Sequence, residues 1–419
     1  MKSALPKALH PIAGRPMLRH LIANCEGVFD RIVVVAGPGM AALVEAAAPH
    51  PVVVQADRLG TAHAALQAAG LFGDGEVAVL YADNPLIRPD TLRRLVAQRQ
   101  APGIGLALLV MRPADPGRYG RVLTAGDDVE RIVEWADATE AERAVGLCNA
   151  GVLCAPAADF VRWLGLVRPS PKGEFYLTDC VALARAEGHR VAAVEAPAEE
   201  LRGINSRVEL AEAEATVQGW LRRAAMEGGA TLTAPETVFF SADTVLAPDA
   251  VVGPHVVFGP GVSVASGAQV RAFSHLEGCS VGAGALIGPY ARLRPGTVVG
   301  AKAHVGNFVE LKATELGEGA KANHLTYLGD STIGAGTNIG AGTITCNYDG
   351  YAKHRTSIGA GVFVGTSSVL VAPLTLGDGS FVAAGSVVTR SVEADAMVFG
   401  RAPQIDKPGR AAAFRARKR

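Results

Sequence analysis

The sequence predicts an α/β domain on a mostly parallel sheet, one long helix, and then a solenoid of stacked parallel β-coils. Two patterns carry this. In the second half, thirteen hydrophobic-glycine dyads fall on a six-residue beat, from Val252-Gly253 and Phe258-Gly259 through Ile333-Gly334 and Ile339-Gly340 to Leu376-Gly377. In the first half, short β-rich apolar runs alternate with helical stretches, the pattern of strands covered by helices.

Taken in order, Arg31 to Ala36, Val52 to Gln55, Val77 to Tyr81, Leu106 to Val110 and Val191 to Val194 read as strands. Ala41 to Ala48, Ala62 to Ala69 and Thr91 to Gln98 read as the helices between them. From Val208 to Met226 the β-branched runs give way to Glu, Ala, Leu and Arg, which predicts a single helix broken by Gly228-Gly229. The domains expected are therefore 1–207, a linker helix at 208–229, and 230–419. In the last of these, a strand of about two to four residues, a turn eased by Gly and an inward aliphatic would stack coil on coil. The beat slips by one residue near Ser280, Glu315 and Thr332, and an insertion follows Thr345.

Composition fits a soluble globular chain of two or three domains: 419 residues, 49% hydrophobic and 19% charged. Forty basic residues balance forty acidic ones, so no strong pull toward nucleic acid or an anionic membrane is expected. The basic tail Arg410 to Arg419 reads as a solvated, mobile end. Six scattered cysteines with no CxxC pair suggest neither a zinc cluster nor a disulfide framework. With no run of 18 apolar residues and no signal-like segment, the cytoplasm is the expected compartment.

Two regions carry chemistry. Asp83 follows the apolar run Val77 to Tyr81, where open α/β sheets bind ligands, and its carboxylate suits Mg²⁺; it also suits a plain turn. Gln55 to Thr61 could read a base or cap the next helix. In the solenoid, Lys321 to Asp330 interrupts the repeat with His324, and Asn338 to Gly350 leads into a polar loop containing Cys346 and Lys353. Acetyl transfer from a thioester to an amine needs a base of near-neutral pKa, for which His is the fitting side chain.

The order of Leu5-Pro6-Lys7-Ala8-Leu9, Gln55 to Thr61, Tyr81-Ala82-Asp83, Tyr119-Gly120-Arg121, Ile132-Val133-Glu134, Asn149-Ala150-Gly151 and Gly203-Ile204-Asn205 resembles the sugar-nucleotide pyrophosphorylases. With the hexapeptide half, essentially the whole chain is similar to the bacterial bifunctional enzymes that join N-acetylglucosamine-1-phosphate uridylyltransferase to glucosamine-1-phosphate N-acetyltransferase. The resemblance implies an α/β nucleotidyltransferase (Rossmann-like) domain and a left-handed parallel β-helix of hexapeptide repeats. It also implies synthesis of UDP-N-acetylglucosamine for peptidoglycan from glucosamine 1-phosphate, acetyl-CoA and UTP with Mg²⁺, by a homotrimer.

Carried over by position, the resemblance implies a UDP-sugar site of Lys7 on phosphate, Gln55, Gly60 and Thr61 on uracil, Tyr81, Ala82 and Asp83, and Gly120, Glu134 and Asn149 on the sugar, with Asp83 and Asn205 as metal ligands. His324 would be the catalytic base. Arg294, Lys312, Tyr327 and Asn338 would bind the acetyl acceptor, and Ala341, Asn347, Tyr348, Thr366, Ala384 and Arg401 the acetyl-CoA. Glu310 is a candidate to orient His324. Departures are Ala82 for the usual Gly, Ala150 for Thr or Ser, and Thr366 for Ser. The family's Leu-Ala-Ala-Gly-x-Gly-Thr-x-Met loop precedes the Pro-Lys motif, and Met1 matches its last residue. The expectation is that the phosphate-holding amides of that loop are missing and that uridylyl transfer is impaired.

Competing readings are an acetyltransferase with an inert first domain, a non-catalytic scaffold subunit, and a hexapeptide zinc enzyme, for which His304 and His324 lack a clear third partner.

Overall fold

In the computed structural model, which describes residues 1–417, the strand Ile104–Met111 is buried at every position. Such a strand must be covered on both faces. Leu106, Leu108 and Val110 pack with Phe160, Trp163 and Val181, while the alternating Ala107, Leu109 and Met111 pack with Leu92, Leu95 and Cys154. Truncating Leu108 to Ala in such a setting costs about 2–5 kcal/mol.

Around this strand runs a six-stranded sheet in the order Glu76–Val79, Cys148–Pro156, Ile104–Met111, Arg190–Glu195, Asp128–Val133, Arg121–Ala125. Ile104–Met111 and Arg190–Glu195 pair in parallel, and the other pairings are antiparallel. The expectation of a mostly parallel sheet is thereby corrected. Cys148–Pro156 inserts antiparallel between Glu76–Val79 and Ile104–Met111, two strands that share a direction. Val34–Ala36 and Val52–Val54 form a separate parallel pair.

The chain divides into two compact units, Met1–Val217 and Gln218–Arg419, and the division falls within the helix Arg207–Glu227. Ser206 and Glu209 start that helix reciprocally: Ser206 Oγ accepts from the Glu209 amide at 3.1 Å, and Glu209 Oε2 accepts from the Ser206 amide at 2.6 Å. Gly229, at φ +94°, ends it. Among the described residues no helix is long and apolar enough to cross a membrane.

The second unit is a parallel β-helix. Val252, Val270, Ile287, Val305 and Ala322 lie one above another, each a coil of 17 or 18 residues from the last. All are buried in one continuous core. The insertion after Thr345 lengthens the coil between Ile339 and its partner Val364. The dyad glycines have a different reason from the turn-easing one expected. A Cβ on Gly317 would stand 2.7 Å from the Ala335 amide nitrogen of the next coil, so these positions are small because backbone passes against them.

The left-handed corner conformation falls to other residues. At one corner His255, Phe273, Tyr290, Phe308 and Leu325 all have φ between +50° and +59°. The four rings stack consecutively, with centroids 4.9, 4.9 and 5.3 Å apart. At the same corner of the following coils stand Gly342, Ser367 and Gly385, each donating its amide to the coil before. The corner therefore changes from large to small side chains at Leu325. In the tail, Arg410–Ala416 is an exposed helix, while residues 418 and 419 of the expected basic end lie outside the described residues.

Candidate active sites

In the first unit, the helix-starting Glu209 also accepts the Asn205 amide at 2.7 Å, fixing Asn205 at the helix entrance. Ile204 donates its amide to the Asp83 carbonyl at 2.8 Å, which brings Asn205 beside the turn after Glu76–Val79. The Lys7 ammonium lies between the two, bonded to an Asp83 carboxylate oxygen and, at 2.5 Å, to Asn205 Oδ1. Two hard oxygen donors thus converge on a cation, and the same pair fits a divalent ion. Ala82 packs on the small apolar cluster around Leu18 and Val34.

Gln55 donates from Nε2 to the Gly60 carbonyl at 3.1 Å, and the same nitrogen lies 3.0 Å from His63 Nδ1. Gly60, at φ +114°, lets the Phe175 backbone pass against it, where a Cβ would meet the Phe175 nitrogen at 2.7 Å. Thr61 Oγ1 accepts from the Leu177 amide at 3.0 Å and also bonds Tyr81. Burial raises the Tyr81 phenol above its ordinary range.

Beyond Tyr81, the Asn149 amide donates to the Gly120 carbonyl at 2.9 Å, and Asn149 Oδ1 accepts from the Gly151 amide at 3.0 Å. A Cβ on Gly120 would come 3.5 Å from a Glu134 carboxylate oxygen. Burial, reinforced by Asp137, raises the Glu134 carboxyl, against a hydrogen bond from Thr178. The first unit therefore groups its expected residues as Lys7–Asp83–Asn205, Gln55–Gly60–Thr61 and Gly120–Glu134–Asn149, with Tyr81 bonded to Thr61 and electrostatically coupled to Glu134 and Asp83.

In the β-helix, Lys312 and Tyr327 lie on paired strands of one sheet, and Arg294 directly follows Arg292–Leu293, which pairs with the strand of Lys312. Arg294 Nη1 donates to Glu310 Oε1 at 2.9 Å, and Lys312 Nζ lies 3.2 Å from Asp330 Oδ2. Asn347 Nδ2 donates to the same Asp330 oxygen at 2.5 Å. Burial works against the Asp330 charge, yet the bonds from Asn347 and Lys312 outweigh it and lower the carboxyl's pKa. Gly329 is the floor of this bowl, since a Cβ there would run into the Tyr327 hydroxyl and stand 2.7 Å from Asn347 Nδ2.

Lys353, noted in the sequence only as part of the polar loop, belongs to this bowl. Its bond to Lys312 and the repulsion between the two ammoniums lower its pKa, and Arg294 adds to the effect. Three cations facing two carboxylates leave excess positive charge, which suits a phosphate. The signal available in sequence was the length of the insertion, which folds Lys353 back so that it bridges to Tyr348.

His324 ends the strand Lys321–His324 in the ten-stranded sheet, opposite Asn307 one coil earlier. Asn307 Oδ1 lies 2.8 Å from His324 Nδ1. The sequence reading missed Asn307; a polar residue one coil-length before the His was the available clue. Glu310, the expected orienting group, is instead paired with Arg294.

Ala341, Thr366 and Ala384 form a column above His324. A Cβ on Gly340 would meet the Thr366 amide at 2.5 Å, one on Gly365 would meet the Ala384 amide nitrogen, and Arg401 Cδ comes 3.9 Å from where a Cβ on Gly385 would stand. Tyr348 is exposed, with its hydroxyl donating to the Gly350 carbonyl at 2.6 Å, while Asn347 faces the bowl. Asn338 lies on the ten-stranded sheet, a different face from Arg294, Lys312 and Tyr327. Among the described residues no three His, Cys, Asp or Glu side chains converge as a metal cluster, so His304 and His324 gain no third partner.

Residues 1–149 match the MobA-like NTP transferase domain family, and residues 355–390 match the hexapeptide repeat of succinyl-transferase. The chain is 68% identical to the bifunctional protein GlmU of Gluconacetobacter diazotrophicus over 99% of its own length and 91% of the relative's. It is 65% identical to that of Granulibacter bethesdensis, covering 99% and 93%, and 62% identical to that of Acidiphilium cryptum, covering 100% and 96%. The nucleotidyltransferase half, the hexapeptide β-helix and near full-length identity of this order place the chain in the family of bifunctional GlmU proteins.

Proposed function

We propose that the chain makes UDP-N-acetylglucosamine in two steps, acetylating glucosamine 1-phosphate in the β-helix and transferring a uridylyl group from UTP in the first unit. The observation that carries the acetyl step is the pairing of a phosphate-suited bowl with a hydrogen-bonded imidazole. The sugar amine attacks the thioester carbonyl of acetyl-CoA, His324 Nε2 takes the amine proton, and the CoA thiolate leaves and is protonated. Arg294, Lys312 and Lys353 hold the sugar phosphate, with Tyr327 beside it. The column Ala341–Thr366–Ala384, ending at Arg401, receives the acetyl-CoA arm, and Asn347 and Tyr348 are assigned to the same ligand by their position in the family.

In the first unit, Gln55, Gly60 and Thr61 face uracil, while Gly120, Glu134 and Asn149 hold the N-acetylglucosamine moiety. The sugar phosphate oxygen attacks the α-phosphorus of UTP and pyrophosphate departs. A Mg²⁺ ion held by Asp83 and Asn205 would neutralise charge on the phosphoryl oxygens. Lys7, now between those two residues, turns to the phosphates, keeping a cation at the developing charge.

We further infer a homotrimer. Asn338 stands on a face apart from Arg294, Lys312 and Tyr327, so neighbouring copies would complete the acceptor site, and the exposed ring stack offers apolar surface.

Two assays test this reading: thiol release from acetyl-CoA with glucosamine 1-phosphate, and pyrophosphate release from UTP with N-acetylglucosamine 1-phosphate. Both should proceed, the second contrary to the impairment expected from the sequence, because the near full-length relatives are bifunctional proteins; chelation of divalent ions should stop the second only. Absence of either activity rejects the corresponding step, and a monomeric mass in light scattering with full acetyl transfer rejects the trimer.

A further inference from the structure

We propose that Asn307 is a positioning residue for acetyl transfer, holding His324 as the tautomer that carries its proton on Nδ1 and its lone pair on Nε2. This rests on the reading of His324 as the base.

The two residues occupy the same place on successive coils, 17 positions apart, each just before a left-handed corner residue, Phe308 and Leu325. Leu325 donates its amide to the Asn307 carbonyl at 3.1 Å, so the backbone itself holds the two side chains in register. Asn307 Oδ1 can only accept, and at 2.8 Å from Nδ1 it requires the ring proton there. A neutral imidazole then has its lone pair on Nε2. On the other side of His324 the next coil brings Ala341 and the small corner residue Gly342, which donates its amide to the His324 carbonyl at 3.3 Å.

The choice of an amide has a chemical logic. A carboxylate at this distance would fix the same tautomer but would favour the imidazolium, which cannot accept a proton. The amide orients without adding charge. His304, on the strand with Asn307, is itself lowered by burial first and then by Arg271 and Lys321. Glu310, the nearest acidic residue along the chain after Asn307, is held by Arg294 around the corner.

The test uses the full chain labelled with ¹⁵N-histidine, with the His324 signals assigned by their loss in His324→Ala. Long-range ¹H–¹⁵N correlation should show the Nδ1–H tautomer in the unsubstituted protein and a shift toward Nε2–H in Asn307→Ala. In that variant kcat for acetyl transfer should fall roughly 10- to 100-fold, a part of the roughly 10²- to 10⁴-fold that a general base contributes. KM for glucosamine 1-phosphate should stay within about twofold, since no bowl residue changes. Asn307→Asp should recover much of the loss at high pH, with the acid limb of its kcat/KM profile moved up by roughly one to two pH units. An Nε2–H signal in the unsubstituted protein, or an unchanged tautomer in Asn307→Ala, overturns the proposal. A changed tautomer with undiminished acetyl transfer would instead reject His324 as the base while leaving the Asn307 contact as the tautomer's cause.

Discussion

The ring of Tyr81 occupies the space that a Cβ on residue 151 would need, and Gly151 sits there at φ +77°. Gly151→Ala therefore meets both a backbone conformation that L-residues resist and a ring it must displace. Because Tyr81 also bonds Thr61, the change reaches the residues proposed to hold the nucleotide. Uridylyl transfer should fall at least roughly tenfold, the outcome of about 1.4 kcal/mol of misplacement. Acetyl transfer should be unchanged, and measuring both activities on one preparation checks this.

On the proposed mechanism His324→Ala deletes proton removal and little else, since the side chain is exposed and bonded to Asn307. Acetyl transfer should drop by roughly 10² or more, with the circular dichroism spectrum and uridylyl transfer preserved. Steady-state rates for the two reactions decide it, and near-normal acetyl transfer would assign the work to another group.

For Lys353→Ala the expected effect is on binding. Loss of one charge-assisted contact to a phosphate is worth about 1.5–3 kcal/mol, so KM for glucosamine 1-phosphate should rise roughly 10- to 100-fold. Removing Lys353 also relieves its repulsion with Lys312. An unaltered KM would exclude Lys353 from the acceptor site.

The acid stability of the first unit should depend on Glu187. Hydrogen bonds from Arg162 at 2.6 Å and Trp163 at 3.0 Å hold its carboxyl at about 2, below the ordinary 4.5. A carboxyl lowered by folding stabilises the native state fully above its unfolded pKa and loses that contribution as pH falls through the folded value. The melting temperature of Glu187→Gln should therefore be lower at neutral pH and should decline less steeply between about pH 4.5 and 2.

Tyr290 contacts a ring on each side, Phe273 and Phe308. Each aromatic pair contributes roughly 0.5–1.5 kcal/mol beyond area burial, so Tyr290→Ala should destabilise the β-helix by about 1–3 kcal/mol. Denaturant unfolding monitors it.

The solenoid was legible because the feature that makes it, backbone passing against Gly317 and its counterparts, forces glycine at a fixed interval. The column Ala341–Thr366–Ala384 was reachable only through the resemblance, since small residues say nothing by themselves. Asn307 and Lys353 escaped for a different reason: their partners, His324 and Lys312, lie one coil or more away, and no local pattern links them. The strand Cys148–Pro156 was hidden because its central residues Gly151 to Ala155 are buried on both faces and lack alternation. Its insertion, with the antiparallel pairings of Asp128–Val133, is what turned an expected mostly parallel sheet into a mixed one.

Along the corner that passes from Asn307 and His324 to Ala341, Thr366 and Ala384, successive coils are separated by about 4.7–4.9 Å, so His324 to Ala384 spans roughly 14 Å. The fold thus behaves as a graduated rod. Distance from His324 can change only by whole marks, whereas the excursion at residues 346–355 alters what is presented at one mark and leaves the others in place. A long, flexible ligand laid along it would be gauged by counting turns.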